Sequence, residues 1–148
     1  FIKWLVAEQL QNIEVKLNHL DEIMKSEVNA LQEIRPHAVI TTNYDMMCES
    51  ILTGYDPIVG NNVLHYNLNA FGEIFHIHGI SSDPSSIVLT ENDYRNWSED
   101  SKYFAAKLLT YFAEHPVFII GYAIGDPNVK TILADIGRLT SDKEGFIN

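Results

Sequence analysis

His37-Ala38-Val39-Ile40-Thr41-Thr42-Asn43-Tyr44-Asp45 is the stretch that decides how this chain folds. Up to Thr42 it is short, apolar and rich in β-branched residues, which predicts a strand. At Asn43 it turns polar. Arg35-Pro36 closes what comes before, because a residue preceding proline is pushed out of the α region. Two later stretches repeat the pattern. Glu73 to His78 predicts a second strand, closed by Gly79. Val117-Phe118-Ile119-Ile120 is apolar on both faces, as a central parallel strand requires, and runs into Gly121-Tyr122-Ala123-Ile124-Gly125-Asp126-Pro127-Asn128.

The intervening segments read as helices. Leu10, Ile13, Leu17, Leu20, Met24, Val28 and Leu31 recur at steps of three and four. That spacing makes one helical face over residues 2–34, with a break at Asp21 or Ser26. Tyr44 to Leu52 predicts a helix stopped by Thr53-Gly54. Residues 54–72 read as loop with a short strand at Val63-Leu64-His65, and Ile87-Val88-Leu89 as another short strand. Thr90 and Asp93 are spaced as an imperfect capping box. Residues 101–114 form a helix carrying Tyr103, Phe104, Leu108, Tyr111 and Phe112. Asp126 caps a last helix, with Pro127 at its first position and Val129, Ile132, Leu133 and Ile136 inward. Helices alternating with strands predict an α/β fold, a doubly wound and mostly parallel sheet flanked by helices. Its 148 residues suit a single domain over 1–148, with an N-terminal helical region at 1–35.

Composition narrows the function. The chain carries 20 Asp and Glu against 10 Lys and Arg, a net charge of −10. A nucleic-acid or anionic-membrane surface needs clustered cations, so neither partner is expected. No apolar stretch approaches the ~20 residues of a membrane span. One cysteine, Cys48, excludes an internal disulfide and a four-cysteine zinc site, and fits a reducing, cytoplasmic compartment. The chain opens on Phe1 and stops after a helix-like segment, which reads as a piece of a longer protein.

In an open α/β sheet, ligands sit beyond the carboxyl ends of the strands. Asn43, Asp45, His78 and the turn from Gly121 are therefore candidates for one site. Asn43 offers a donor and an acceptor and Asp45 an acceptor; either is equally suited to capping the next helix. An unperturbed histidine titrates near neutral pH, so His78 can serve as a general base, or it can be a packed His satisfied by a carbonyl. Gly79 would let a ligand approach the backbone. His76 and His78 share a strand face, so with His115 and Asp126 they could ligate a metal; otherwise His76 is a packed neighbour. Asp126-Pro127 either aims a helix N-terminus at a phosphate or is simply a good helix start.

The ordered set of motifs resembles the sirtuin superfamily, in particular the sirtuin-like domains of bacterial anti-phage defence proteins. The matching residues are Val39-Ile40-Thr41-Thr42-Asn43-Tyr44-Asp45, Ile77-His78-Gly79 with Ile87-Val88-Leu89-Thr90 and Asp93-Tyr94, then Ile119-Ile120-Gly121-Tyr122 and Gly125-Asp126-Pro127-Asn128. The likeness covers about residues 36–136. It implies a Rossmann-like fold that takes NAD as substrate and cleaves the nicotinamide–ribose bond. Carried over, Asn43 orients the attacking water or ribose and His78 is the general base. Asp45 contacts the nicotinamide amide, and Thr42, Gly121, Tyr122 and Asp126 line the rest of the NAD site.

Three departures qualify the likeness. The family's Gly-Ala-Gly phosphate loop is absent and is expected upstream of Phe1. Thr42 stands where the deacetylase branch has Gln, and the zinc-ribbon small domain with its cysteines is missing; both favour NAD hydrolysis without a metal. Ala123 stands where Ser is common. The resulting expectation is an NAD+ glycohydrolase yielding nicotinamide and ADP-ribose or a cyclic form, an NAD-depleting defence effector. A homo-oligomer and a sensor domain outside this chain are expected with it. A non-catalytic nucleotide-binding or regulatory module is the alternative, and a metal-dependent hydrolase using His76 and His78 a lesser one.

Overall fold

The computed structural model describes residues 1–11, 20–60, 72–100, 102–122 and 125–141. The chain divides into two compact units, Phe1–Asp93 and Tyr94–Asn148. In the first, α1 (Ile2–Gln11) and α2 (Glu22–Ile34) precede β1 (Ala38–Thr41), α3 (Met47–Ile51), β2 (Asp56–Val59) and β3 (Glu73–His76). A 3-10 turn follows at Pro84–Ser86, and α4 (Glu91–Asp100) begins at the end of this unit. The second unit continues α4 and holds α5 (Lys102–Glu114) and α6 (Pro127–Ser141).

The break in the N-terminal helical region falls at Asp21, whose carboxylate accepts from the Met24 amide at 2.8 Å and caps α2. Arg35 ends α2 in the left-handed region at φ 46, as the residue before Pro36 must leave the helix. The predicted strand at His37 then forms over Ala38–Thr41.

The three strands lie in the order β1-β3-β2, all parallel. β3 is therefore central, and every one of its residues is buried. Ile58, Ile74 and Phe75 are fully enclosed, each contributing about 1.5–3 kcal/mol by its removal from water. This is a Rossmann-like α/β arrangement of a parallel sheet with flanking helices. β2 falls in the region expected to be loop, where Pro57 argues against a strand. Proline is tolerated because, among the described residues, β2 is an edge strand hydrogen-bonded to β3 alone. The strand expected at Val63-Leu64-His65 lies outside the described residues.

Two expected strands do not form. Val117–Ile120 is unassigned, and Val117, Phe118, Ile119 and Ile120 are all exposed. A strand exists only where a neighbour accepts its backbone bonds, and among the described residues nothing pairs with this run. Ile87-Val88-Leu89 makes one such bond, from the Val88 amide to the His78 carbonyl at 2.8 Å, and stays irregular. The helix expected from Tyr44 is reduced to α3, because Asp45 Oδ1 takes the Met47 amide at 3.0 Å and starts it later.

The capping box before α4 does form. Asp93 Oδ2 accepts from the Thr90 amide at 2.8 Å and the Leu89 amide at 3.1 Å, while Thr90 Oγ1 accepts from the Asp93 amide at 3.2 Å. Lys3 of α1 reaches Asp93 Oδ1 at 2.6 Å. Partial burial opposes ionisation of Asp93, but the Lys3 ammonium and the Thr90 and Leu89 donors outweigh it and hold the carboxyl well below the usual range. A carboxyl depressed on folding stabilises above its unfolded pKa of about 3.9, and that contribution is lost as pH falls toward the folded value. Asp93→Ala is expected to cost about 1–2 kcal/mol at pH 7. In urea melts the deficit shrinks below about pH 4.

In the second unit α5 packs against α6, with Leu108 buried. Asp126 caps α6 as expected: its Oδ1 accepts from the Val129 amide at 3.1 Å. Ile132, Ile136, Tyr103 and Phe104 have side chains outside the described residues.

Candidate active site

Register carries the carboxyl ends of β1 and β3 to one place. Thr41 pairs with His76, and the Ile77 amide donates to the Thr41 carbonyl at 3.1 Å. Asn43 and His78 each stand two residues past that last pair, beyond the ends of adjacent parallel strands. The two loops are then joined further. The Ser81 amide donates to the Tyr44 carbonyl at 2.7 Å, and the Tyr44 hydroxyl donates to the Val88 carbonyl at 2.7 Å. The aromatic ring between Asn43 and Asp45 thus pins the first loop to the second.

Asn43 combines a held backbone with an exposed side chain. Its amide donates to Thr41 Oγ1 at 3.1 Å, and its carbonyl lies 3.1 Å from His76 Nδ1. Fixing the main chain while the amide group faces outward is what presentation of a ligand-binding group requires. Thr42 and Asp45 flank it, both half-buried. Asp45 Oδ1 takes the Met47 amide at the start of α3, one residue ahead of Met46, the cap position. His78 is 4% exposed, an interior side chain rather than a surface one.

Gly79 has a different role from the one expected. It sits at φ +89, and a Cβ there would lie 2.3 Å from the Ser86 carbonyl oxygen and 2.7 Å from the Ile87 nitrogen. The close approach that needs glycine is made by the chain's own backbone, not by a ligand. The loop at 79–88 is folded tightly on itself, with the Ile80 amide on Ser86 Oγ at 3.0 Å and Ser86 Oγ on the Asp83 carbonyl at 2.6 Å.

His76 proves to be the packed neighbour. Its ring is fully buried; Nδ1 faces the Asn43 carbonyl and Nε2 lies 2.6 Å from Glu49 Oε1. With both nitrogens engaged it presents none to a metal, and among the described residues no group of three or more His, Cys, Asp or Glu side chains converges. Glu49 and Tyr44 were not singled out by sequence. Glu49 stands among Met47, Cys48 and Ile51 of a short helix, and a carboxylate in that apolar company was the available signal.

Cys48 is no nucleophile at neutral pH. Burial pushes its thiol up to about 11, with the charges of Glu49 and Asp45 acting in the same direction. Alkylation by iodoacetamide at pH 8 is expected to be about 100-fold slower than for an ordinary thiol of pKa about 8.5, and to keep rising about tenfold per pH unit beyond pH 9, where the ordinary thiol has levelled off.

In the second unit, Gly121 is exposed at φ +64 and Tyr122 is half-buried. Burial raises the Tyr122 phenol above its ordinary value, and the Asp126 charge adds to the rise. Asp126 is engaged by its own helix and by the Tyr94 hydroxyl at 3.4 Å. Ala123 lies outside the described residues.

A family profile described as a SIR2-like domain matches residues 37–147. The chain belongs to the SIR2-like domain family. It is 26% identical over 119 residues to defense-associated sirtuin 2 of Bacillus subtilis, covering 74% of this chain and 11% of that protein. It is 34% identical over 102 residues to the protein named NAD(+) hydrolase ThsA of Enterococcus faecium, covering 65% of this chain and 21% of that protein. This SIR2-like chain therefore spans between about a tenth and a fifth of the length of these curated relatives. The family match includes both strand-end loops. No helix among the described residues is long and apolar enough to cross a membrane.

Proposed function

We propose that this SIR2-like chain forms the NAD-cleaving part of an NAD+ glycohydrolase that depletes NAD in anti-phage defence, with residues 1–148 acting as one domain. The observation that carries the reading is the pairing of an exposed, backbone-held Asn43 with His78. Both stand at equivalent positions past the Thr41 and His76 pair, in a family with a relative named for NAD hydrolysis.

The chemistry asks for little more. Nicotinamide leaves a cationic nucleotide as a neutral molecule, taking the electron pair of the broken C–N bond, so the transition state is oxocarbenium-like. Water supplies the new C–O bond and gives up a proton. Asn43 orients that water, or the ribose, at the anomeric carbon, and His78 removes the proton. Asp45 contacts the carboxamide, its carboxylate accepting from the amide NH2 as well as from the Met47 amide. Thr42, Gly121, Tyr122 and Asp126 are the further NAD contacts. Products are nicotinamide and ADP-ribose, or its cyclic form where an adenine ring nitrogen of the same nucleotide, in place of water, attacks the anomeric carbon.

The test is NAD consumption by the complete protein under activating conditions, with nicotinamide measured by chromatography. No turnover in any activated state overturns the reading. The depth of His78 favours one rival, a module that binds nucleotide without turnover. Calorimetry showing binding with no product formed would establish that alternative.

A further inference from the structure

We propose that His76 and Glu49 are a positioning pair that aims Asn43, a role neither residue has in the reaction as read above. This deepens the proposed function and rests on Asn43 being the residue that orients the attacking group. The contact chain runs from Glu49 Oε1 to His76 Nε2 at 2.6 Å, and from His76 Nδ1 to the Asn43 carbonyl at 3.1 Å. The imidazole is fully buried and the Glu49 side chain is 12% exposed. A buried carboxylate against a buried imidazole is costly unless each hydrogen bond is made. Among the described residues Glu49 Oε2 is buried with no hydrogen-bond partner, so this carboxyl is committed to His76.

Contact at both ring nitrogens gives the pair its function. A carbonyl oxygen only accepts, so the bond to Asn43 is donated by Nδ1–H. Glu49, 2.6 Å from Nε2, holds the opposite end of the ring, so the imidazole is fixed between the carboxyl and the Asn43 carbonyl. Without Glu49 the ring is held at Nδ1 alone and can pivot about that contact, which misaligns the bond to the Asn43 carbonyl. The second backbone anchor, the Asn43 amide on Thr41 Oγ1, remains, but it lies on the preceding peptide and does not fix the one that carries the Asn43 carbonyl. Outer partners that set a histidine's tautomer and aim are common in metal sites; here the group aimed is a backbone carbonyl and, through it, the amide side chain of Asn43.

The experiment uses the full-length protein and four variants. Glu49→Leu is expected to lower kcat about 10–100-fold while KM for NAD stays within about threefold, since misplacement of a reacting group acts on the chemical step. Glu49→Gln retains kcat within about threefold, because its amide donates to Nε2 and keeps the proton on Nδ1. His76→Asn carries its own amide donor near the Nδ1 position, so the double variant Glu49→Leu with His76→Asn recovers activity relative to Glu49→Leu alone. His76→Leu does not. Wild-type kcat in Glu49→Leu, or an unrecovered double variant, overturns the pair, as does a loss that merely tracks the folded fraction in thermal melts. Imidazole nitrogen-15 shifts of His76 separate this inference from the function it rests on. If the wild type turns over no NAD, the function reading fails. The pair still stands or falls on whether Glu49→Leu weakens the Nδ1–H bond to Asn43, read as a shift of the Nδ1 nitrogen and its proton away from their wild-type values; an unchanged Nδ1 signal overturns it.

Discussion

Asn43→Ala in the complete protein is expected to reduce NAD turnover by about 10²–10⁴-fold with no measurable loss of stability. The stability half of the prediction follows from position. The Asn43 side chain is exposed, and its two recorded bonds are made by the backbone amide and carbonyl, which alanine keeps. Exposed substitutions of that kind stay within about 0.5 kcal/mol. His78→Ala is expected to lose turnover to a similar degree, but it also hollows out an interior site, because His78 is 4% exposed. Its activity must be normalised to folded protein, and His78→Gln, which nearly conserves volume but has no basic ring nitrogen, is the better partner to Asn43→Ala. Activity surviving both Asn43→Ala and His78→Gln would remove these residues from the mechanism.

Gly79→Ala is expected to cost more than about 4 kcal/mol, enough to unfold most of a domain whose total stability is about 5–15 kcal/mol. A Cβ at Gly79 would sit 2.3 Å from the Ser86 carbonyl oxygen, 2.4 Å from its carbon and 2.7 Å from the Ile87 nitrogen. These are backbone atoms tied into the loop by the Ile80, Ser86 and Asp83 bonds, so no rotamer change relieves the overlap. Gly54 separates the steric cost from the torsional one. It has φ +88 against +89 at Gly79, and nothing lies within 4 Å of its added Cβ. Gly54→Ala therefore carries only the left-handed strain, about 1–2 kcal/mol. Urea midpoints of the two variants measure the difference. Equal destabilisation would show that the loop at 79–88 yields, contrary to its geometry.

Much of the site was legible because strand ends are marked locally. β-branched apolar runs closing on Asn43 and on His78-Gly79 identify two strand termini without knowledge of their neighbours, and parallel pairing then brings the termini together. Caps are equally local: Asp21, Thr90 with Asp93, and Asp126 all act within a few residues of their own position. Where partnership over long range decides the outcome, the residues mislead. Val117–Ile120 has a strand's composition and no partner among the described residues. Asp56–Val59 has a proline and does have one. Gly79 was readable as a special glycine, yet what approaches it is Ser86, a fact about how the loop closes.

His76 and Glu49 mark the division most sharply. Sequence by itself determined a parallel α/β domain with Asn43 and His78 at strand ends, because hydrophobic periodicity, β-branching and caps are properties of adjacent residues. That both His76 and His78 lie in the interior, and that a carboxyl 27 positions away meets His76, was decided only by the tertiary structure. Two side chains so far apart in the chain are brought within hydrogen-bond distance by the packing of α3 and β3, and hydrogen bonding at that range leaves no periodic trace in the sequence.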